Sequence, residues 1–315
     1  MLVRTVDYHT AGEPFRIVLE GAPELVGRTI LEKRRWAREN CDEIRRLLVN
    51  EPRGHADMYG CFVTAPEDSG ADLGVVFFHN AGYSTACGHG TIALVTWAIE
   101  SGLLAASGQE TAVVVDVPSG RLETVARLEN GSVSSVRFRN VPSYVEARGL
   151  KMGRFTVDVA YGGAFYAILP ASQAGLRVDR RQLPQLIELG RGLKQHLEAE
   201  RTFRHPLHPE IEGIYGVIFT EGDSNVTVFA DGEVDRSPCG SGTSARLALL
   251  DATGELPRGS NLVHRRIVGS VFTGRVVGDG EGGVITEVEG RAHLTGRHEF
   301  VLESEDELGT GFLLR

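Results

Sequence analysis

The segments Cys87-Gly88-His89-Gly90-Thr91-Ile92-Ala93 and Cys239-Gly240-Ser241-Gly242-Thr243-Ser244-Ala245 share Cys, Gly, Gly, Thr and Ala in register. Self-similarity of this kind constrains a fold more tightly than local propensity, because it implies one supersecondary unit built twice. Glycine matches carry little weight in a chain with 39 glycines, whereas a cysteine match carries much in a chain with 4 cysteines. The flanks agree as well. Each motif follows a β-rich run, Leu73 to Phe78 or Asn225 to Ala230, then a turn, and opens an apolar helical stretch. Those stretches end alike, in Ser101-Gly102-Leu103-Leu104 and Thr253-Gly254-Glu255-Leu256, where the glycine suits a helix C-cap. A duplicated domain is the expectation.

With 315 residues and 42% hydrophobic content, the chain exceeds what one core usually organises, which also points to two domains. Alternation predicts strands at Leu2 to Tyr8 and Phe15 to Glu20 around the turn Ala11-Gly12-Glu13-Pro14. Further short β-rich runs follow at Ala112 to Val117, Ser132 to Phe138, Phe155 to Ala160, Gly213 to Thr220, Ile267 to Val277 and Phe300 to Glu303. Helical spacing of apolar residues predicts amphipathic surface helices at Ile30 to Val49 and Gln182 to Glu200. Phe203 to Pro209, with its prolines and histidines, reads as a loop. The mixture is α+β. Pro142 to Gly153 interrupts the strand pattern, so a first domain over residues 1–145 and a second from residue 150 are expected.

The charge of −9 is interspersed with no basic stripe, which argues against nucleic acid and against an anionic membrane surface as partners. No apolar run reaches the ~18 residues of a membrane span, and Met1 to His9 lacks a signal-peptide core, so a cytoplasmic protein is expected. The partner expected is a small-molecule substrate, with a homodimer left open. Cysteines 41, 61, 87 and 239 fit neither a disulfide framework nor paired zinc knuckles and should be free thiols. Lysine occurs only at positions 33, 151 and 194, beside thirty arginines. That scarcity bears on pyridoxal phosphate, which needs a Schiff-base lysine.

A cysteine at a Gly-rich helix N-terminus meets unpaired N–H groups and the positive end of the helix dipole, which lower a thiol from ~8.5 toward about 3.5 to 7.5. A thiolate near neutral pH is therefore expected. The same N–H groups make an anion site for a carboxylate. Two such helices facing each other could hold one carboxylate while their cysteines flank its α-carbon, one removing a proton and the other returning one from the opposite face.

The plainer readings differ by residue. Cys41 and Cys61 read as small buried hydrophobes. A zinc site from Cys87, His89, His55 and Asp57 matches by residue type but fits no familiar spacing, so no metal is expected. Neither motif carries the lysine of a phosphate-binding P-loop. His89 stands two residues after the first cysteine and reads as a ligand-binding residue, with a polar loop residue as the alternative. Asp235, in Asp235-Arg236-Ser237-Pro238-Cys239, could equally be a turn residue. The run Glu51 to Met58, with His55 and Asp57, has the polar density of a functional loop or of a salt-bridged turn.

These motifs resemble the proline racemase superfamily, which includes hydroxyproline 2-epimerases and trans-3-hydroxy-L-proline dehydratases. The resemblance rests on His9-Thr10-Ala11-Gly12-Glu13-Pro14, Glu51 to Gly60, Gly82 to Gly90 and Asp235 to Gly242, and covers nearly the whole chain. It implies two pseudo-symmetric, diaminopimelate-epimerase-like domains, each a sheet wrapped around a central helix, with the active site in the cleft between them. It also implies that the chain's end, about residues 295–315, returns to the first domain, leaving 150–294 as the second. Cys87 and Cys239 would be the proton-transfer thiols, His89 and Asp235 would hold a substrate ring nitrogen, and the backbone of Gly88, Gly240 and Ser241 would bind the carboxylate. No cofactor is implied.

The segment Gly82-Tyr83-Ser84-Thr85 and the N-terminal third look closest to the 3-hydroxyproline dehydratases, which typically carry threonine at the second cysteine position. Here that residue is Cys239, which tilts the expectation toward inversion. Proline racemisation is expected first, hydroxyproline epimerisation next and dehydration third, with a noncatalytic imino-acid-binding protein as the non-enzyme alternative.

Overall fold

Buried and exposed residues alternate at the start of the chain, and Ala11 and Gly12 turn it back with φ of 53° and 95°. The result is an antiparallel pair, β1 (Leu2–Thr10) and β2 (Glu13–Glu20), in a computed structural model that describes residues 1–314. A capping box at Thr29 and Glu32 starts α1 (Ile30–Asn40). The single helix expected through Val49 is in fact two, because the backbone leaves helical geometry at Cys41 (φ −120°, ψ 7°) before α2 (Asp42–Val49). The break lets Ile44, Leu47 and Leu48 of α2 join Ile30 and Ala37 of α1 in one apolar cluster. Then come β3 (Tyr59–Thr64), β4 (Leu73–His79), the short β5 (Gly82–Tyr83), α3 (Gly88–Glu100), β6 (Glu110–Val117) and β7 (Gly120–Glu129).

The chain divides into two compact units, one of Met1–Val136 with the segment from Arg291 onward and one of Arg137–Gly290. The division falls within β8 (Ser132–Arg139), not in the stretch from Pro142 to Gly153. That stretch contains a strand, β9 (Tyr144–Met152), antiparallel to β10 (Phe155–Tyr161). Gly149 and Gly153, with φ of 66° and 58°, irregularise the strand and turn the hairpin, which is why the pattern read as a break. The second unit continues with β11 (Phe165–Pro170), α4 (Leu183–Glu200), β12 (Ile214–Glu221), β13 (Ser224–Phe229), β14 (Glu233–Asp235), α5 (Gly240–Thr253), β15 (Leu262–Arg266), β16 (Val271–Gly280) and β17 (Gly283–Gly290). The expected strand from Ile267 starts only at Val271, because Gly269 turns the chain with φ 90°. Finally β18 (Ala292–Val301) pairs with β1.

Pairing in the two units follows the same rule. In the first, β1 and β2 are antiparallel, β2 and β3 parallel, β3 and β4 antiparallel, β4 and β6 parallel, and β6 and β7 antiparallel. In the second, β10 to β11, β11 to β12, β12 to β13, β13 to β15 and β15 to β16 repeat that sequence of senses. The flanking strands β18 and β9 extend the pattern, β18 antiparallel to β1 and β9 antiparallel to β10. Duplication thus extends from the motif to the order of strands.

The two helices that follow the cysteines are the interior of these units. Residues 88–96 of α3 and 240–249 of α5 are buried on every side, whereas α1 and α4 bury only one stripe. A helix buried all round needs small and apolar residues rather than an amphipathic pattern, and both sequences supply them. Each fully buried aliphatic such as Ile92, Leu94 or Leu247 contributes about 1.5–3 kcal/mol by leaving water. No helix among the described residues is long and apolar enough to cross a membrane.

Candidate active site

Cys87 stands where the chain leaves β5 and enters α3. Its backbone is extended (φ −154°, ψ 95°), and its thiol sulfur N-caps the helix by accepting from the Gly90 N–H at 3.3 Å. The His89 ring lies against the sulfur, with Nδ1 at 3.5 Å and Nε2 at 3.4 Å. That ring is fixed by edge-on packing with Phe15 (5.7 Å between centroids) and Tyr59 (4.9 Å), while Thr10 Oγ1 donates to the His89 carbonyl at 2.9 Å. Elements far apart in sequence therefore set one imidazole on one thiol.

Cys239 stands in the corresponding place between β14 and α5, in a different conformation. Its φ of 65° lies in the left-handed region, which a side-chain-bearing residue adopts only when its surroundings impose it. Asp235, at the end of β14, accepts through Oδ1 from both the N–H and the hydroxyl of Ser237, each at 2.7 Å, and Ser237 Oγ accepts from the Cys239 N–H at 3.1 Å. The Cys239 sulfur lies 3.6 Å from the Tyr166 hydroxyl and 4.0 Å from Ser241 Oγ, which are themselves 2.7 Å apart.

Both thiols are 5% exposed. For Cys239 that burial overturns the expectation of a thiol lowered by its helix. Desolvation and the Asp235 charge push it up to about 12, against the opposing pull of Tyr166 and of the Gly242 N–H. The Gly242 N–H favours the thiolate, but the Cys239 sulfur makes no capping hydrogen bond to its helix. The surroundings of Cys239 thus favour the thiol over the thiolate. Burial also pushes up Cys41, to about 11, and Cys61, well above the usual thiol range.

The repeated glycines have a steric reason. A Cβ at Gly90 would come within 2.7 Å of the Cys87 sulfur and 2.4 Å of the Phe15 ring, and one at Gly242 within 2.9 Å of the Cys239 sulfur. Gly88 and Gly240 open the two helices, so their N–H groups, and that of Ser241, lie outside the helical ladder at the positive end of the dipole.

Cys87, Gly88 and His89 are thus together in the first unit, and Asp235, Cys239, Gly240 and Ser241 in the second. His55 and Asp57 belong to the loop between α2 and β3. His55 is exposed and its Nδ1 lies 2.8 Å from the carbonyl of Ala56, whereas Asp57 is buried with φ 64°. That loop is held through Asn80, whose amide donates to the His55 carbonyl at 3.2 Å and whose Oδ1 accepts from Met58 N–H at 2.8 Å. Among the described residues no three His, Cys, Asp or Glu side chains gather as a metal-binding group, so the combination of Cys87, His89, His55 and Asp57 gains no support. Tyr166 and Ser237 escaped the sequence reading. Tyr166 sits in an ordinary buried strand 73 residues before Cys239, and nothing in its own neighbourhood distinguishes it.

Residues 5–313 match the proline racemase family. The chain belongs to that family. The match spans both units, so both cysteine motifs fall inside it. Among proline racemase relatives, a trans-3-hydroxy-L-proline dehydratase of Bacillus cereus is 43% identical over 98% of this chain and 97% of its own. A 3-hydroxyproline 2-epimerase of Burkholderia multivorans is 45% identical over 99% and 98%. A hydroxyproline epimerase from Agrobacterium vitis, crystallised with trans-4-hydroxy-L-proline, superposes with a TM-score of 0.91 at 31% identity, covering 99% of this chain and 96% of that one. The chain is therefore an α+β enzyme of the proline racemase family, whose relatives include isomerases and dehydratases.

Proposed function

We propose that this enzyme is a cofactor-independent 3-hydroxyproline 2-epimerase, using Cys87 and Cys239 as the two proton-transfer groups at one α-carbon. The observation that carries the reading is the paired placement of a cysteine at the head of each central helix. Inversion requires a base on one face and an acid on the other, exchanging roles in the reverse direction, and a duplicated cysteine supplies both. His89 and Asp235 would hold the ring nitrogen, and the N–H groups of Gly88, Gly240 and Ser241 the carboxylate. As the α-proton leaves, charge moves onto that carboxylate, where the helix N-termini favour it. The burial of Cys239 suits it to be the acid in one direction. The substrate comes from the relatives at 43% and 45% identity, which are named for 3-hydroxyproline; proline, favoured by the sequence, ranks behind it.

A second reading is dehydration of trans-3-hydroxy-L-proline, favoured by the name of the Bacillus relative. One thiolate takes the α-proton and the thiol so formed gives it to the departing 3-hydroxyl, which leaves as water; the product is a Δ2-pyrroline-2-carboxylate and no second thiol is needed.

Proton NMR in heavy water decides among these. Trans-3-hydroxy-L-proline, trans-4-hydroxy-L-proline and L-proline are each incubated with the protein. Epimerisation gives the cis-3-hydroxy-D product with deuterium at Cα, and dehydration gives a pyrroline carboxylate. No exchange with any of the three would overturn the proposal and leave an imino-acid-binding protein.

A further inference from the structure

Asn225, Thr243 and His264, each fully buried, close a hydrogen-bond ring around the residue before the second cysteine. Asn225 Nδ2 donates to the Pro238 carbonyl at 3.1 Å and lies 2.7 Å from His264 Nε2. His264 Nδ1 lies 2.7 Å from Thr243 Oγ1, and that hydroxyl donates to the same Pro238 carbonyl at 3.3 Å. Donors and acceptors can be satisfied in one way only. The Asn225 amide nitrogen carries hydrogens and cannot accept, so Nε2 accepts and Nδ1 bears the proton. Nδ1–H then donates to Thr243 Oγ1, whose own hydrogen goes to Pro238. A second imidazole proton would point at the Asn225 amide. Burial, with the positive charges of Arg246 and Arg266, opposes that protonation.

Two donors thus converge on the Pro238 carbonyl. At the far end of the same peptide, the Cys239 N–H is held by Ser237 Oγ, itself held by Asp235. The φ of Cys239 is the torsion between this clamped plane and the Cys239 Cα, and its value of 65° is one that clamping must maintain. The first cysteine differs. Its φ is −154°, and Thr91, in register with Thr243, donates instead to the Cys87 carbonyl at 2.9 Å.

We propose that the ring of Asn225, Thr243 and His264 is a positioning device specific to Cys239, holding its thiol in the direction that α-carbon chemistry requires. The inference rests on the reading above in taking Cys239 as a reacting thiol. Its primary test needs no substrate. The purified full-length protein, His264→Phe and Thr243→Val are alkylated with iodoacetamide, and modification of Cys87 and Cys239 is followed separately by peptide mass spectrometry. With the ring broken, Cys239 leaves its burial and alkylates about tenfold faster, the scale set by release of a strained backbone. Cys87 in the same molecule keeps its wild-type rate. The two variants are read independently, so one that fails to fold leaves the other to decide.

In the kinetic arm, kcat for inversion falls about 100-fold with KM little changed, the signature of a misplaced reacting group. His264→Gln, which keeps an acceptor and a donor, restores most of it. An unchanged Cys239 rate in a folded variant, or an equal change at both cysteines, would overturn the proposal. If the wild type turns over no imino acid, the epimerase reading fails while the alkylation contrast still decides the ring.

Discussion

The hydroxyl of Tyr166 accepts from the Cys239 thiol at 3.6 Å, across a gap that only sulfur bridges as a hydrogen bond. Because Tyr166 is also 2.7 Å from Ser241 Oγ, the hydrogen-bond chain can reverse direction once the sulfur is a thiolate, with Ser241 donating to Tyr166 and Tyr166 to the sulfur. Tyr166→Phe removes the group that most opposes the upward push on Cys239, so its thiol should titrate still higher. Iodoacetamide alkylation of Cys239 at fixed pH should slow, and kcat should fall about tenfold, the effect of one lost hydrogen bond of about 1.4 kcal/mol to a charged group. Alkylation as fast as wild type would disprove the role.

The two cysteines should separate the two reactions. Cys87→Ser and Cys239→Ser should each lower inversion by at least about 100-fold, the usual contribution of a positioned acid or base. Cys239→Thr should abolish inversion of trans-3-hydroxy-L-proline, and any dehydration that the wild type shows should survive it. Chiral chromatography of the products after a fixed time reads both. Full inversion in either serine variant would exclude a two-thiol mechanism.

Gly90→Ala and Gly242→Ala test the approach of backbone to sulfur. Each adds a methyl group at under 3.0 Å from a cysteine sulfur, so the thiol must move. Activity should fall about 100-fold, as for other small displacements of reacting groups. Gly90→Ala should also cost about 1–3 kcal/mol of stability from overpacking against Phe15, measured by urea unfolding.

Asp7 and Arg16, paired at 2.7 Å with side chains 10% and 6% exposed, tie β1 to β2, and Arg16 also donates to the carbonyls of Leu48 and Arg53. Arg16→Met leaves Asp7 as a buried charge without its main partner. The expected loss is about 3–5 kcal/mol by chemical denaturation. A loss under about 1 kcal/mol would mean that the pair behaves like a surface one.

Acid should weaken the fold through His264. Burial holds it well below 6.5, so below that pH the unfolded chain takes up a proton that the folded chain refuses. Stability is therefore full above about pH 6.5 and falls as pH drops, by up to about 1.4 kcal/mol per pH unit for one such group. His205 and His293, also lowered, add in the same direction. Urea midpoints from pH 7.5 to pH 5 should show a shallower slope for His264→Gln.

The repeat was legible in the sequence because Cys87 and Cys239 are scarce residues in matched surroundings. It led to both central helices, α3 and α5. What the sequence could not show is the difference between the two copies. The left-handed backbone of Cys239 depends on His264 and Asn225, which reach it only through folding and belong to unremarkable strand runs. The break at Cys41 was hidden because the apolar spacing runs on in phase across it. The rise of the Cys239 thiol was missed for a physical reason: the helix terminus is a local feature, whereas desolvation comes from every element packed around it.

The pairing of β1 with β18 has a consequence for how the molecule is made. Leu2–Thr10 finds one neighbour in β2 at once but must wait for Ala292–Val301, and Met1 for the carbonyl of Leu302. At about 5–20 residues per second, that wait lasts roughly 15 to 60 s on the ribosome. All the strands of Arg137–Gly290 emerge within that interval. The unit begun first is therefore the last to be closed, and until the final strand emerges one edge of β1 is open to any other nascent chain nearby.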